Sequence, residues 1–154
     1  MGSGSNAVSP APLGAAGLES YLRHRMPDAE GVEVRGVARI SGGLSRETWG
    51  FDATWSQGAE RVDRSLIVRR DPAASILTTD RATEYAVIDA LAGTSVPVPR
   101  VYWLESDPEW LGSPFFVMER VRGETSPVLL LTDPGYAPAR PVVADRMVEV
   151  LAAS

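Results

Sequence analysis

With 154 residues, 44% of them hydrophobic, and a formal net charge of −5, the chain can build one core, burying roughly 70% of its unfolded surface, but lacks the positive charge that nucleic acid or an anionic membrane calls for. All 15 basic residues are Arg, there is no Cys, and His24 is the lone histidine, which excludes lysine catalysis, a P-loop lysine, disulfides, thiolate nucleophiles and two-histidine zinc motifs and leaves little for a Ser-His-Asp triad. No apolar run reaches the ~18 residues of a membrane span, so a cytoplasmic protein is expected.

The opening Met-Gly-Ser-Gly-Ser-Asn-Ala lacks the parts of a signal peptide and reads as an expression scar, so residues 1–15 are set aside as scar and flexible approach. Leu18, Tyr21 and Leu22 share a helical face, and Pro27 stops that helix. Val32, Val34 and the stretch from Val37 to Ile40 predict a strand entering Ser41-Gly42-Gly43. Trp49, Phe51, Ala53 and Trp55 then alternate with Thr48, Gly50, Asp52 and Thr54, the period of a half-buried strand. The polar segment 57–63 reads as a hairpin connection, and Ser65 to Arg70 as a third strand. Thr79 to Ala92 is the strongest helix, with Tyr85, Ile88 and Leu91 on adjoining stripes and Gly93 as its stop. Pro97-Val-Pro99 precedes a strand at 100–104, and Phe115 to Glu119 is the last strand.

From Arg122 to Pro141 there are four prolines and two glycines, which predicts a linker. Val143, Met147, Val150 and Leu151 recur at helical spacing, so the end of the chain reads as a helix cut off in mid-domain. Hairpin-length connections imply an antiparallel sheet, and the helix between the third and fourth strands must cover one of its faces. The expected fold class is α+β.

Four features could carry chemistry. Paired glycines in Ser41-Gly42-Gly43-Leu44-Ser45 let successive N–H groups converge on an anion, although a plain hairpin turn would read the same. By alternation Ile67 and Arg69 share one face of the third strand while Val68 and Arg70 share the other, so one arginine faces the interior or a cleft and needs an anion there. Glu84 sits on the apolar stripe of its helix and should be paired or partly exposed. An Arg69–Glu84 ion pair would satisfy both charges, whereas a strand-end arginine and a solvated acid are the plainer alternative. Finally, the apolar strand ending in Met118-Glu119 runs straight into a Pro/Gly-rich connector, which suits a hinge between two lobes and equally an edge strand leaving a sheet.

Five segments in order, Ile40-Ser-Gly-Gly-Leu-Ser45, Leu66-Ile-Val-Arg-Arg70, Arg81-Ala-Thr-Glu-Tyr85, Val96-Pro-Val-Pro-Arg-Val101 and Gly112-Ser-Pro-Phe-Phe-Val-Met-Glu119, resemble the N-terminal lobe of the aminoglycoside phosphotransferase family, a kinase-like fold. The subgroup it looks most like includes the phosphotransferase-like domains attached to some acyl-CoA dehydrogenases. The resemblance implies a five-stranded antiparallel sheet with one covering helix over residues 16–121, preceded by an N-terminal helix, and a linker plus the truncated first helix of a C-terminal lobe over residues 122–154. It implies ATP as cofactor: Gly42, Gly43 and Ser45 over the phosphates, Arg69 in place of the usual strand lysine with Glu84 as its partner, Met118 near the adenine, and Glu119 to Val121 as a hinge bonding the base. Arg46 stands where the family often has Asn, and arginine is bulkier than lysine and not interchangeable with it.

The resemblance also exposes what the sequence lacks. The family's His-Gly-Asp, the Asn a few residues later and a further metal-binding Asp belong to its second lobe, and His24 is followed by Arg25. Mg²⁺ would be held mainly by that lobe, so no metal ligand is assigned here. No turnover is expected of this polypeptide, and its small-molecule acceptor is undefined. The rival expectation is a non-catalytic nucleotide- or protein-binding module. It would form a homodimer through an exposed cleft face, using Trp103, Trp110, Phe115 and the terminal helix.

Overall fold

A computed structural model describes residues 13–40, 47–71, 81–124 and 126–153. Helix α1 (Ala15–Arg25) leads into β1 (Glu30–Arg39), β2 (Glu47–Gln57) and β3 (Glu60–Arg70). Helix α2 (Arg81–Leu91) precedes β4 (Val101–Glu105) and β5 (Phe115–Glu119), and α3 (Pro127–Thr132), a 3₁₀ turn (Pro134–Tyr136) and α4 (Ala139–Ala153) follow. The five strands form one sheet in the order β1-β2-β3-β5-β4, and every neighbouring pair is antiparallel. The expected α+β class, with a five-stranded antiparallel sheet, a helix between β3 and β4 and another ahead of β1, is what the structure has.

Period-two alternation sorts the side chains onto two unlike faces. Phe51 pairs with Leu66, Trp49 with Val68 and Val68 with Val117, so these residues share a face. Together with Val32, Val34, Ala53 and Phe115 they meet Leu18, Tyr21 and Leu22 of α1 in the main core. The three helix residues are completely buried, which contributes about 1.5–3 kcal/mol for each apolar side chain. The N-terminal helix therefore packs on the core face, and α2 lies on the opposite face, where Tyr85 meets Phe116 edge-on with centroids 6.1 Å apart. The apolar stripe read on α2 is not a core stripe: Val87 is 55% exposed and Arg81 is the one buried residue of the helix.

Three boundaries differ from expectation. The β2–β3 connection is a two-residue turn, Gly58-Ala59, and the polar Glu60–Asp63 already pairs with β2. Polarity does not oppose a strand there, because alternate positions of a half-exposed hairpin face water. Within the predicted linker, α3 forms because the Ser126 hydroxyl accepts the Leu129 N–H at 3.3 Å and Pro127 stands at its first turn. The last helix begins at Ala139, ahead of Pro141 rather than after it. Of the three aromatic residues expected on an exposed face, Phe115 is fully buried, and Trp103 and Trp110 are half-buried against the core.

Candidate functional site

The face turned toward α2 carries Thr48, Gly50, Ile67, Arg69, Phe116 and Met118, because Thr48 pairs with Arg69, Gly50 with Ile67, Ile67 with Met118 and Arg69 with Phe116. At the centre of this face Nη1 of Arg69 forms a salt bridge with Oε1 of Glu84. The pair expected between strand and helix is present, with side chains only 25% and 14% exposed. The other carboxylate oxygen of Glu84 accepts from Nη1 of Arg81 at 2.6 Å, and Nε of Arg81 lies 3.0 Å from Oδ1 of Asp71. Two guanidinium groups and two carboxylates thus form a chain, Arg69–Glu84–Arg81–Asp71. Each buried charge in it has an opposite neighbour, which is what burial of charge demands. Arg81 and Asp71 escaped sequence reasoning, although Arg81 at the first turn of α2 stands one helical turn before Glu84, a spacing that brings side chains together.

The neighbouring Arg70 goes to the core face. Its Nε donates to Glu47 Oε2 at 2.6 Å and its Nη1 to the Leu111 carbonyl at 2.6 Å, and its guanidinium lies over the Trp49 ring. Both arginines at the end of β3, Arg69 and Arg70, therefore have anions, one on each face, where the sequence foresaw the need on one.

Toward the end of the sheet, Met118 is half-buried beside Ile67 on the α2 face. A close approach marks Gly50: a Cβ there would stand 3.2 Å from Ile40 Cδ1 and 3.4 Å from Arg120 Nη1. Glycine at this strand position lets an aliphatic side chain and a guanidinium lie flat on the sheet. Glu119, by its pairing with Leu66, directs its side chain to the other face, where Oε2 accepts the Arg100 N–H at 3.3 Å. The Glu119 N–H donates to the Arg100 carbonyl at 2.8 Å and the Arg120 N–H to the Ser65 carbonyl at 3.0 Å. Val121 is 66% exposed just beyond the strand. The structure thus brings Arg69, Glu84 and Met118 onto one face and sets Val121 at its end, while the Glu119 side chain is turned away. Gly42, Gly43 and Ser45 lie outside the described residues. The strands flanking that segment are antiparallel, and the Ile40 N–H donates to the Thr48 carbonyl at 2.8 Å. Among the described residues no cluster of His, Asp or Glu could hold a metal ion, and no helix is long and apolar enough to cross a membrane.

Three comparisons bear on this arrangement. The family model described as "Phosphotransferase enzyme family" (APH) matches residues 36–153. Acyl-CoA dehydrogenase family member 10 of Mus musculus is 35% identical over 84 residues, covering 51% of this chain and 7% of that protein. A crystal structure from Ralstonia eutropha JMP134, provisionally named an aminoglycoside phosphotransferase, superposes with a TM-score of 0.59 at 31% identity over 90% of this chain and 36% of its own. The chain thus spans about a third of that solved protein and a small part of the mouse one.

Proposed function

The chain belongs to the phosphotransferase enzyme family, and from that premise we propose that it is the ATP-binding lobe of a small-molecule kinase. The observation that carries this reading is the Arg69–Glu84 salt bridge joining β3 to α2, on the face that also bears Ile67 and Met118. ATP, when bound, supplies the phosphoryl group. The residues of this chain bind and orient it. Arg69, held by Glu84, meets the phosphates, and its planar fork can pair phosphate and carboxylate together. Ile67 and Met118 flank the base on this face, beside the Ile40 side chain and the Arg120 guanidinium that cover Gly50. The Val121 N–H is the backbone donor for the base, since those of Glu119 and Arg120 are spent inside the sheet. Gly42, Gly43 and Ser45 cover the phosphates in the same reading.

Phosphoryl transfer also needs an acid to orient the acceptor hydroxyl and oxygen ligands for Mg²⁺. The sequence contains no His-Gly-Asp, so the polypeptide binds nucleotide without turning it over, and acceptor choice lies with residues it does not contain. The test is titration of the 154-residue chain with ATP, read by calorimetry. Arg69→Met is expected to weaken binding about tenfold or more, the worth of one charge-assisted contact, with Arg69→Lys retaining part of it. Equal affinity for the wild type and Arg69→Met would sink the reading.

A second reading, a non-catalytic module that self-associates, is favoured by one observation: Val142, Met147, Val148 and Leu151 of α4 are 57–73% exposed.

A further inference from the structure

We infer that the groove beyond the end of β5 is an anion-binding site for a small phosphate-bearing molecule, separate from the Arg69–Glu84 pair. Its origin is topological. Strand β5 stops at Glu119 opposite Leu66 and the Arg120 N–H reaches the Ser65 carbonyl, so the first part of β3, from Glu60 to Arg64, has a neighbouring strand on the β2 side only. The space left beside it is a concavity of about 700 Å³, the size of a small-molecule pocket.

Four arginines from three parts of the chain line that space, Arg64 of β3, Arg100 ahead of β4, and Arg120 and Arg122 after β5, although the Arg120 guanidinium itself reaches over Gly50. The acids along the same groove are Asp63 and Glu119, so with the Arg120 charge over Gly50 the other three arginines leave a surplus of one positive charge in a chain whose net charge is −5. Among the described residues none of the four arginines has a salt bridge to a carboxylate. Nη1 of Arg64 makes only a 3.5 Å contact with the Asp63 carbonyl. Arg100 lies over the Tyr102 ring at 5.3 Å, a stacked arrangement that orders the guanidinium and leaves its edge for an anion. By contrast Arg69, Arg70 and Arg81 each meet a carboxylate. Guanidinium groups converging from separate elements suit the several oxygens of a phosphate or diphosphate. The concave shape favours a small molecule over an extended acidic peptide.

The inference does not depend on the nucleotide reading, and its test keeps the two apart. The probe is inorganic pyrophosphate, titrated into the ¹⁵N-labelled 154-residue chain at low salt, following the amides of Arg100, Tyr102, Glu119 and Arg120. Three proteins are compared: the wild type, the Arg64→Gln/Arg100→Gln double variant, and Arg69→Met. Both glutamine positions are exposed, and the amide spectrum of each variant reports its fold. Saturable shifts are expected at these amides in the wild type, with affinity about tenfold or more weaker in the double variant and unchanged in Arg69→Met. Inorganic phosphate, run in parallel, separates a single-phosphate from a diphosphate ligand. Absence of saturable shifts at these amides, or equal affinity in the double variant, overturns the site.

Discussion

Arg69 and Arg70 follow one another on β3 and meet different carboxylates because a strand turns successive side chains to opposite faces. That much is legible in Leu66-Ile-Val-Arg-Arg70. Which acids answer them is not, because Glu47 and Glu84 come from other elements and only the register of β2 and the placing of α2 bring them close. Tyr21 shows a buried polar group with a measurable consequence. Its hydroxyl accepts from Arg25 Nε at 3.0 Å, and Arg25 also donates to the Leu104 carbonyl at 2.8 Å. Burial pushes the phenol above its ordinary pKa, and the Arg25 hydrogen bond opposes the shift. The fold therefore favours the neutral phenol. The stability this provides is complete below the unfolded pKa of about 10 and is lost as pH rises through the folded-state value. Tyr21→Phe should cost about 1 kcal/mol near neutral pH, the worth of one hydrogen bond, and the gap to wild type should narrow above pH ~10. Urea unfolding at pH 8 and at strongly alkaline pH measures both numbers, and a gap that stays constant would assign the alkaline loss elsewhere.

Strands were easier to read than helices for a physical reason. The alternating Phe51, Ala53 and Trp55 of β2 are buried in the core that α1 completes, whereas α2 packs mainly through charged and aromatic side chains and leaves Val87 in water. Helix α3 carried its signal in Ser126-Pro127, a cap followed by a first-turn proline, and the prolines around it masked it. The sequence also gave no hint that α1 protects an edge strand. Glu19 Oε1 accepts the Val34 N–H at 3.1 Å and Arg23 Nη2 donates to the Val32 carbonyl at 2.8 Å, satisfying the side of β1 that has no neighbouring strand. The β2–β3 hairpin offers a clean test at this scale. Gly58 has φ +60° at the first position of the two-residue turn, and a Cβ there would meet nothing within 4 Å. Gly58→Ala should therefore destabilise through the backbone alone, by about 1–2 kcal/mol, seen as a lower urea midpoint with unchanged m-value. A loss of only a few tenths would mean that the turn changes type at little cost.

For the molecule as a whole, the distribution of burial is uneven. The sheet and α1 hold nearly all of the core, while the exposed large apolar residues gather in the last third: Val121, Val128, Leu129, Leu131, Val142, Met147, Val148 and Leu151. Val142, Val143, Met147, Val150 and Leu151 line one apolar groove along α4. Contiguous apolar surface of this kind tends to be covered by another surface, and in a solution of this polypeptide alone the available surface is a second copy. The 154-residue chain is thus expected to self-associate reversibly, with a sedimentation coefficient that rises over about two decades of concentration by mass action. Met147→Glu/Leu151→Glu places two carboxylates in the groove at exposed positions. It should shift the protein toward monomer while changing its urea midpoint little, since surface substitutions usually stay within about 0.5 kcal/mol. Association that survives both substitutions would place the contact away from α4. A wild type that stays monomeric throughout would mean that isolated apolar side chains on this helix do not add up to an interface, and would leave the nucleotide-binding lobe as the better reading of the polypeptide.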